Sequence, residues 1–314
     1  MADVLMTAPA RPNEATRPPA GGDGRARREA LWGYGFIAPQ VLGFLVFVLG
    51  PLVAVFYYSF HDYNTFTGDM SFIGVENYRE LASSGTFATV LRNTAVFSLG
   101  VIPANIVLGI ALAVLVNRQW PAIAFFRTAF FVPVVISLVA WSLVWDYLLQ
   151  ANGGLNAALD AVGIDGPNWL EDPAWAMVAV VVVQVFKVVG ISMILFLAAL
   201  QEVPQEVVEA ARVDGAGTFA ILRRITLPLI SPTILLVAIL ATINSLKAFA
   251  QVFLLTEGGP GLSTTILGYY IYDQAFEAFK NGYASTLAVV LFVIVLALTI
   301  AQWWTRRRWV FNES

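Results

Sequence analysis

Six membrane-spanning α-helices are expected of this chain, on three grounds. Only 12% of its 314 residues are charged, about half the share of a soluble domain. Its apolar residues, 58% of the total, gather into six long runs, and the mean hydropathy is +0.73. Its basic residues concentrate on one side of those runs. The expected class is therefore an all-α integral membrane protein with a single membrane domain over residues 31–305.

Residues 1–30 are rich in Ala, Pro, Gly and Arg without an apolar period, and read as a disordered cytoplasmic tail. Arg25, Arg27 and Arg28 precede an apolar run, as in a signal peptide. That run is too long for a signal core and no small-residue cleavage site follows, so it is read as retained. The first span is residues 36–60, with Pro39 and Pro51 expected to bend it. The others are residues 94–116, 128–149, 174–200, 229–255 and 284–304. Each reaches the roughly 20 residues that cross about 30 Å of hydrocarbon. Residues 306–314 form a short C-terminal end.

An even number of spans puts both termini on one side, and the basic residues say which. With the N-terminus inside, cytoplasmic segments hold Arg11, Arg17, Arg25, Arg27, Arg28, Arg118, Arg127, Arg212, Arg223, Arg224 and Arg306 to Arg308, 13 of the 18 Lys and Arg. Outer segments hold only Arg79, Arg92 and Lys280, while Lys187 and Lys247 lie within spans. The bias orients both termini inward. The outer loops, 61–93, 150–173 and 256–283, are longer and more acidic, and the last contains the turn Gly258-Gly-Pro-Gly261. Trp169, Trp175, Trp303, Trp304 and Trp309 fall near expected interfaces, as an aromatic belt does.

Catalysis finds little to work with. There is no cysteine, so thiolate chemistry, disulfides and Cys-based metal sites are excluded. The single histidine, His61, reads as an interfacial residue, and no Gly-x-x-x-x-Gly-Lys-Ser/Thr phosphate loop occurs. An integral-membrane enzyme is disfavoured, and so is an ion-coupled carrier, since only Asp146 approaches a membrane carboxylate. The candidate pathway residues are polar groups inside apolar spans. Gln184 and Lys187 are three apart in the fourth, and Asn244, Lys247 and Gln251 recur at three and four in the fifth. Two such stripes predict a shared polar cavity; the alternative is interhelical hydrogen bonding or a snorkelling lysine. Asp146 and Gln150, with Trp141, Trp145 and Tyr147, would suit a carbohydrate or a membrane interface equally.

Between the fourth and fifth spans, residues 201–228 make the one long amphiphilic interruption of the apolar half. Pro204 suits a helix start, and Glu202, Glu206 and Glu209 favour its N-terminal end. Gly215 permits the positive φ that ends it. A second short helix is expected with Phe219, Leu222 and Ile225 on one face, then Arg223 and Arg224, before Pro228 breaks the chain.

The order Glu209-Ala210-Ala211, three residues including Asp214, Gly215, nine residues, then Ile225-x-Leu227-Pro228 resembles the EAA loop of ABC-importer permeases. Arg127-Thr-x-Phe-Phe-x-Pro133, Asn152-Gly-Gly-Leu-Asn156, Trp169-Leu-x-Asp-Pro173, Leu255-Thr-x-Gly-Gly-Pro260 and Gly282-Tyr-Ala-Ser285 resemble the carbohydrate branch of that family, in its maltose- or glycerol-phosphate-type first subunit. The resemblance implies the type I importer permease fold and a multi-pass subunit of a bacterial cytoplasmic membrane. It implies that 201–228 is a coupling helix docking on an ATPase. It also implies a second homologous permease, two ATPase subunits that bind ATP and Mg in this chain's stead, and an extracytoplasmic sugar-binding protein. No cofactor of its own and no nucleic-acid partner are expected.

Overall fold

The computed structural model describes residues 23–118 and 121–309. The expected tail lies outside them up to residue 22, as do residues 310–314. The chain divides into two units, Met1–Ala54 and Val55–Ser314.

In the first unit α1 (Asp23–Phe44) passes through a π-helical turn, Leu45–Leu49, into α2 (Gly50–Tyr58). Helix is thus present from Asp23, which corrects the expected tail boundary at residue 30. The Arg-Ala-Arg-Arg-Glu-Ala stretch is made of good helix formers and simply prolongs the apolar helix. Pro51 offers no N–H to the preceding turn, and the π turn absorbs the mismatch, with the Gly50 N–H bonding Leu45 O five residues back. The large apolar side chains here face outward, Phe36 and Phe47 being 82% and 78% exposed.

The second unit takes in the end of α2 from Val55 and then an antiparallel hairpin, β1 (His61–Tyr63) against β2 (Met70–Phe72), with His61 opposite Phe72. This small sheet departs from the all-helical expectation. The Asn77 side chain of α3 (Glu76–Ser83) pins it, donating to Ser59 O at 3.1 Å and His61 O at 3.0 Å. His61, expected at an interface, is buried beneath Phe72 and Tyr57.

Three caps start the helices that matter most. Ser84 Oγ accepts from Phe87 N and opens α4 (Gly85–Val116). Ser137 Oγ accepts from Ala140 N and opens α6 (Leu138–Leu149). Asp172 Oδ1 accepts from Ala174 N ahead of α8 (Pro173–Glu202), whose first residue is the proline that suits that place. The expected span 128–149 is not one helix. It splits into α5 (Ile123–Val135) and α6 at Ile136–Ser137, and Ile123–Val135 and Leu138–Asp160 differ in direction by 103°. Pro133, inside α5, deprives that helix of a hydrogen bond just before the break.

After α7 (Gly154–Asp160) and α8 come α9 (Gln205–Val213), α10 (Thr218–Ile221), a π turn (Leu222–Thr226) and α11 (Leu227–Leu229). Pro228 was expected to break the chain but sits within α11, again behind a π turn in which Leu227 N–H bonds Leu222 O. The 71° bend comes after it, ahead of α12 (Ser231–Leu246). The expected span 229–255 is interrupted a second time at Lys247–Phe249, before α13 (Ala250–Leu255). Then follow α14 (Leu267–Tyr272) and α15 (Asn281–Trp309). Among the described residues four helices are long and apolar enough to cross a membrane, or up to six if each bent pair is one span.

α8 is the axle. Its apolar window is 56% buried, against 28% for α4. One core cluster joins Phe97 and Val101 of α4, Trp141 of α6, Val180 and Val183 of α8 and Val252 of α13. A second lies further along α8, where Met193 and Phe196 meet Val116, Ile230 and Val237.

Candidate functional sites: a coupling helix and two polar pockets

The 201–228 stretch folds as a helix, a turn and a helix. Pro204 occupies the cap rather than the first turn of α9. The turn closes with two bonds, Ala216 N to Ala211 O at 2.9 Å and Gly215 N to Arg212 O at 3.0 Å. Together with φ +83° at Gly215 they form the Schellman closure, which satisfies the last carbonyls of a helix. Val208 packs against the second core cluster with Val203, Leu227 and Ile230, and Ile221 is buried, so the element is seated on the end of α8. Glu209, Ala210 and Asp214 face outward, and Ala211, Ile225 and Pro228 are half-buried. Phe219 does not join an inward face: it is 73% exposed and Val213 is 87% exposed. The single face expected for Phe219, Leu222 and Ile225 is not kept, since the latter two are half-buried: α10 is four residues long and runs into a π turn. The outer surface thus mixes carboxylates, arginines and two exposed apolar side chains.

The second site is a cavity of about 80 Å³ between α4, α8 and α12. Asn105, Gln184, Ser192, Asn244 and Ser245 supply its polar groups among Val, Ile and Leu. Asn105 Nδ2 donates to Ser192 Oγ at 2.9 Å. Asn105 Oδ1 and Gln184 Oε1 are buried with no hydrogen-bond partner, an arrangement that favours a guest with donors. Asn105 and Ser192 escaped the sequence reading. An amide alone in an apolar run was the available signal, since hydrocarbon tolerates one only at a cost.

The two expected stripes do not converge. Only Gln184 and Asn244 reach this cavity. On α8 the lining residues are Gln184, Val188, Ile191, Ser192 and Leu195, which fall on one face at helical spacing. Lys187 sits on the neighbouring stripe and bonds the carbonyls of Pro133 and Ile136 instead. Asn244, Lys247 and Gln251 share no continuous face, because the helix stops at Lys247 and restarts at Ala250. Lys247 is exposed at that break, whereas Gln251 is buried beside the fully buried Val252.

The third site is an open pocket of about 550 Å³ that joins the end of α6 to the segment after α13. Asp146, Gln150, Asn168, Glu171, Thr256 and Glu257 line it. The aromatics grouped with it by sequence diverge: Trp141 is buried and donates to Val183 O at 3.3 Å, while Tyr147 is exposed. Trp169 bonds Asn156 Oδ1 at 2.7 Å and leans on Trp175.

The family described as binding-protein-dependent transport system inner membrane component matches residues 105–310. A multiple sugar-binding transport system permease protein of Streptococcus mutans is 36% identical over 273 residues, covering 86% of this chain and 93% of that protein. A trehalose/maltose transport system permease protein of Thermococcus litoralis is 33% identical over 277 residues, 87% of this chain and 92% of that one. Among solved structures, a chain of a bacterial ABC transporter involved in the import of the acidic polysaccharide alginate superposes with a TM-score of 0.79 at 25% identity. It covers 91% of this chain and 98% of its own.

Proposed function

This chain belongs to the binding-protein-dependent transport system inner membrane component family, and we propose that it is one of two homologous permease subunits of an ATP-driven sugar importer. In this reading α1–α2, α4, α5–α6, α8, α12–α13 and α15 are six spans in a bacterial cytoplasmic membrane. Both termini are cytoplasmic, as the 13-to-3 split of basic residues supports. An extracytoplasmic binding protein delivers the sugar on the side of the 550 Å³ pocket. Two ATPase subunits carry ATP and Mg on the other side and meet the Glu209 face of α9.

The single observation that carries the proposal is the EAA-like helix with its Schellman turn, seated on α8 and presenting Glu209, Val213 and Phe219 outward. A displacement of α9 by the ATPases passes through Val203 and Val208 into α8 and through Leu227 and Ile230 into α12. Those two helices form two walls of the Gln184–Asn244 cavity, so coupling and pathway share one rigid element. At about 80 Å³ the cavity is too small for a sugar as it stands; once α8 and α12 part to widen it, its amide and hydroxyl groups suit a neutral polyhydroxylated cargo, whose O–H groups would donate to Asn105 Oδ1 and Gln184 Oε1. The sugar transport named for the Streptococcus and Thermococcus relatives supports the same cargo class.

The test is ATP hydrolysis by the complex reconstituted in lipid nanodiscs, with the binding protein loaded from a panel of sugars. Hydrolysis is expected to rise only with the loaded binding protein. No stimulation by any sugar, or substrate turnover by this chain alone, would end the reading.

A further inference from the structure

We infer that Lys187 is a positioning residue: it holds the α5–α6 span in its bent form by donating to the backbone carbonyls released at the break, and it does not contact cargo. A helix that stops leaves its last carbonyls without amide partners, and hydrocarbon offers no water to replace them. At Ile136–Ser137 the backbone turns extended. The amide side is served locally, by Ser137 Oγ for Ala140 N and by Ser137 O for Trp141 N. The carbonyl side is served from α8, 51 and 54 residues further along the chain. Lys187 Nζ donates to Pro133 O at 2.7 Å and to Ile136 O as well.

Lysine suits the task chemically. It carries three donors and no acceptor on a flexible stem, and its charge is favourable at the negative end of a helix dipole. The ammonium also lies 5.9 Å from the centre of the Trp141 ring, and Trp141 Nε1 returns a hydrogen bond to Val183 O, one turn back on α8. Gly190, the next position of the same stripe, lets α8 approach the α5 backbone so closely that a Cβ there would lie 2.3 Å from Phe130 O. Val183, Lys187 and Gly190, at spacings of four and three, thus stitch α8 to α6, to the break and to α5 in turn. Two of the three ammonium hydrogens are committed to protein, and among the described residues no carboxylate pairs with Lys187. What the bend directs is α6, whose far end supplies Asp146 and Gln150 to the outer pocket.

The chain has no cysteine, so a labelled pair at Phe125 and Tyr147, both exposed and on the two arms, reports the bend without background. The measurement is the distance distribution between nitroxides at those sites in the assembled complex in nanodiscs, with cysteine-free partners. Lys187→Arg, which keeps charge and donors, is expected to leave the distribution and transport unchanged. Lys187→Met is expected to broaden or shift the distribution and to lower transport by about ten- to hundredfold, equally for neutral and anionic sugars. A wild-type distribution for Lys187→Met overturns the inference, and so does a loss confined to anionic cargo. If Lys187→Met yields no complex, Lys187→Gln replaces it: a broadened distribution with Gln but not Arg supports the clamp, and identical ones refute it. Failure of Lys187→Arg to assemble also overturns it. The distance arm does not depend on the sugar-importer reading; if the complex transports no sugar, that reading fails while the clamp still stands or falls on the distances.

Discussion

Replacing Gly215 isolates backbone conformation from packing at the coupling turn. Its φ is +83°, and a Cβ built there meets nothing within 4 Å. Any loss must therefore come from the left-handed backbone itself and not from a clash. An L-residue in that region costs about 1–2 kcal/mol, with Asn at the low end and a β-branched side chain at the high end. The equilibrium that closes the turn moves by a factor of roughly 5 to 30. Opening it releases the Ala216–Ala211 and Gly215–Arg212 bonds and lets α9 tilt away from the seat made by Val203 and Val208. The series Gly215→Asn, Gly215→Ala, Gly215→Val should then reduce binding-protein-stimulated ATP hydrolysis in that order, per assembled complex, without changing the ATPases' basal rate. Wild-type stimulation in Gly215→Val, or a Gly215→Asn complex worse than Gly215→Val, would show that the left-handed turn does not govern stimulation.

Three further outcomes are expected. Cysteines at the exposed positions Ser83 and Asp160 should label from outside intact cells with an impermeant reagent, and one at Thr218 only after permeabilisation; the reverse pattern would remove α9 from the cytoplasm. Gln184→Ala and Asn244→Ala should each lower sugar uptake per assembled complex by roughly 2- to 13-fold, the effect of about 0.5–1.5 kcal/mol. Leu236→Ala, at an exposed site on α12, is the neutral control, and equal uptake in all three would leave the cavity with no role in transport. Gly190→Ala should push α5 from α8 at a cost of about 1–3 kcal/mol and reduce the recovered complex. Gly43→Ala, with open space around it, should not; equal recovery of the two would show that the close approach is unimportant.

Much of the coupling loop was legible in the sequence because its determinants are local. Glu209-Ala-Ala and Gly215 specify a short helix and its C-terminal closure through bonds that span only a few residues, and that closure formed as expected. The exposure of Phe219 was not legible. The helix period assumes a regular α-helix, and the chain ran into a π turn ahead of Pro228. The pathway stripes failed for a related reason. Residues three or four apart share a face only while one helix continues, and nothing local announces that α12 ends at Leu246. Lys187 and Gln184 lie on adjacent stripes of one helix, and which partner each meets depends on α5, α6, α4 and α12, all remote in sequence.

From the sequence alone follow the class of molecule, the long apolar helices and the positive-φ closure at Gly215 of a helix that carries an EAA-like motif. Each follows from composition or from interactions between near neighbours, which survive any packing of the helices. Only the tertiary structure decided which polar groups form a cavity, which one caps a broken span and where two of the spans bend. Those outcomes balance the cost of an unpaired carbonyl or amide in hydrocarbon against partners many residues away, as Asn105 finds Ser192 across 87 positions and Lys187 finds Pro133 across 54.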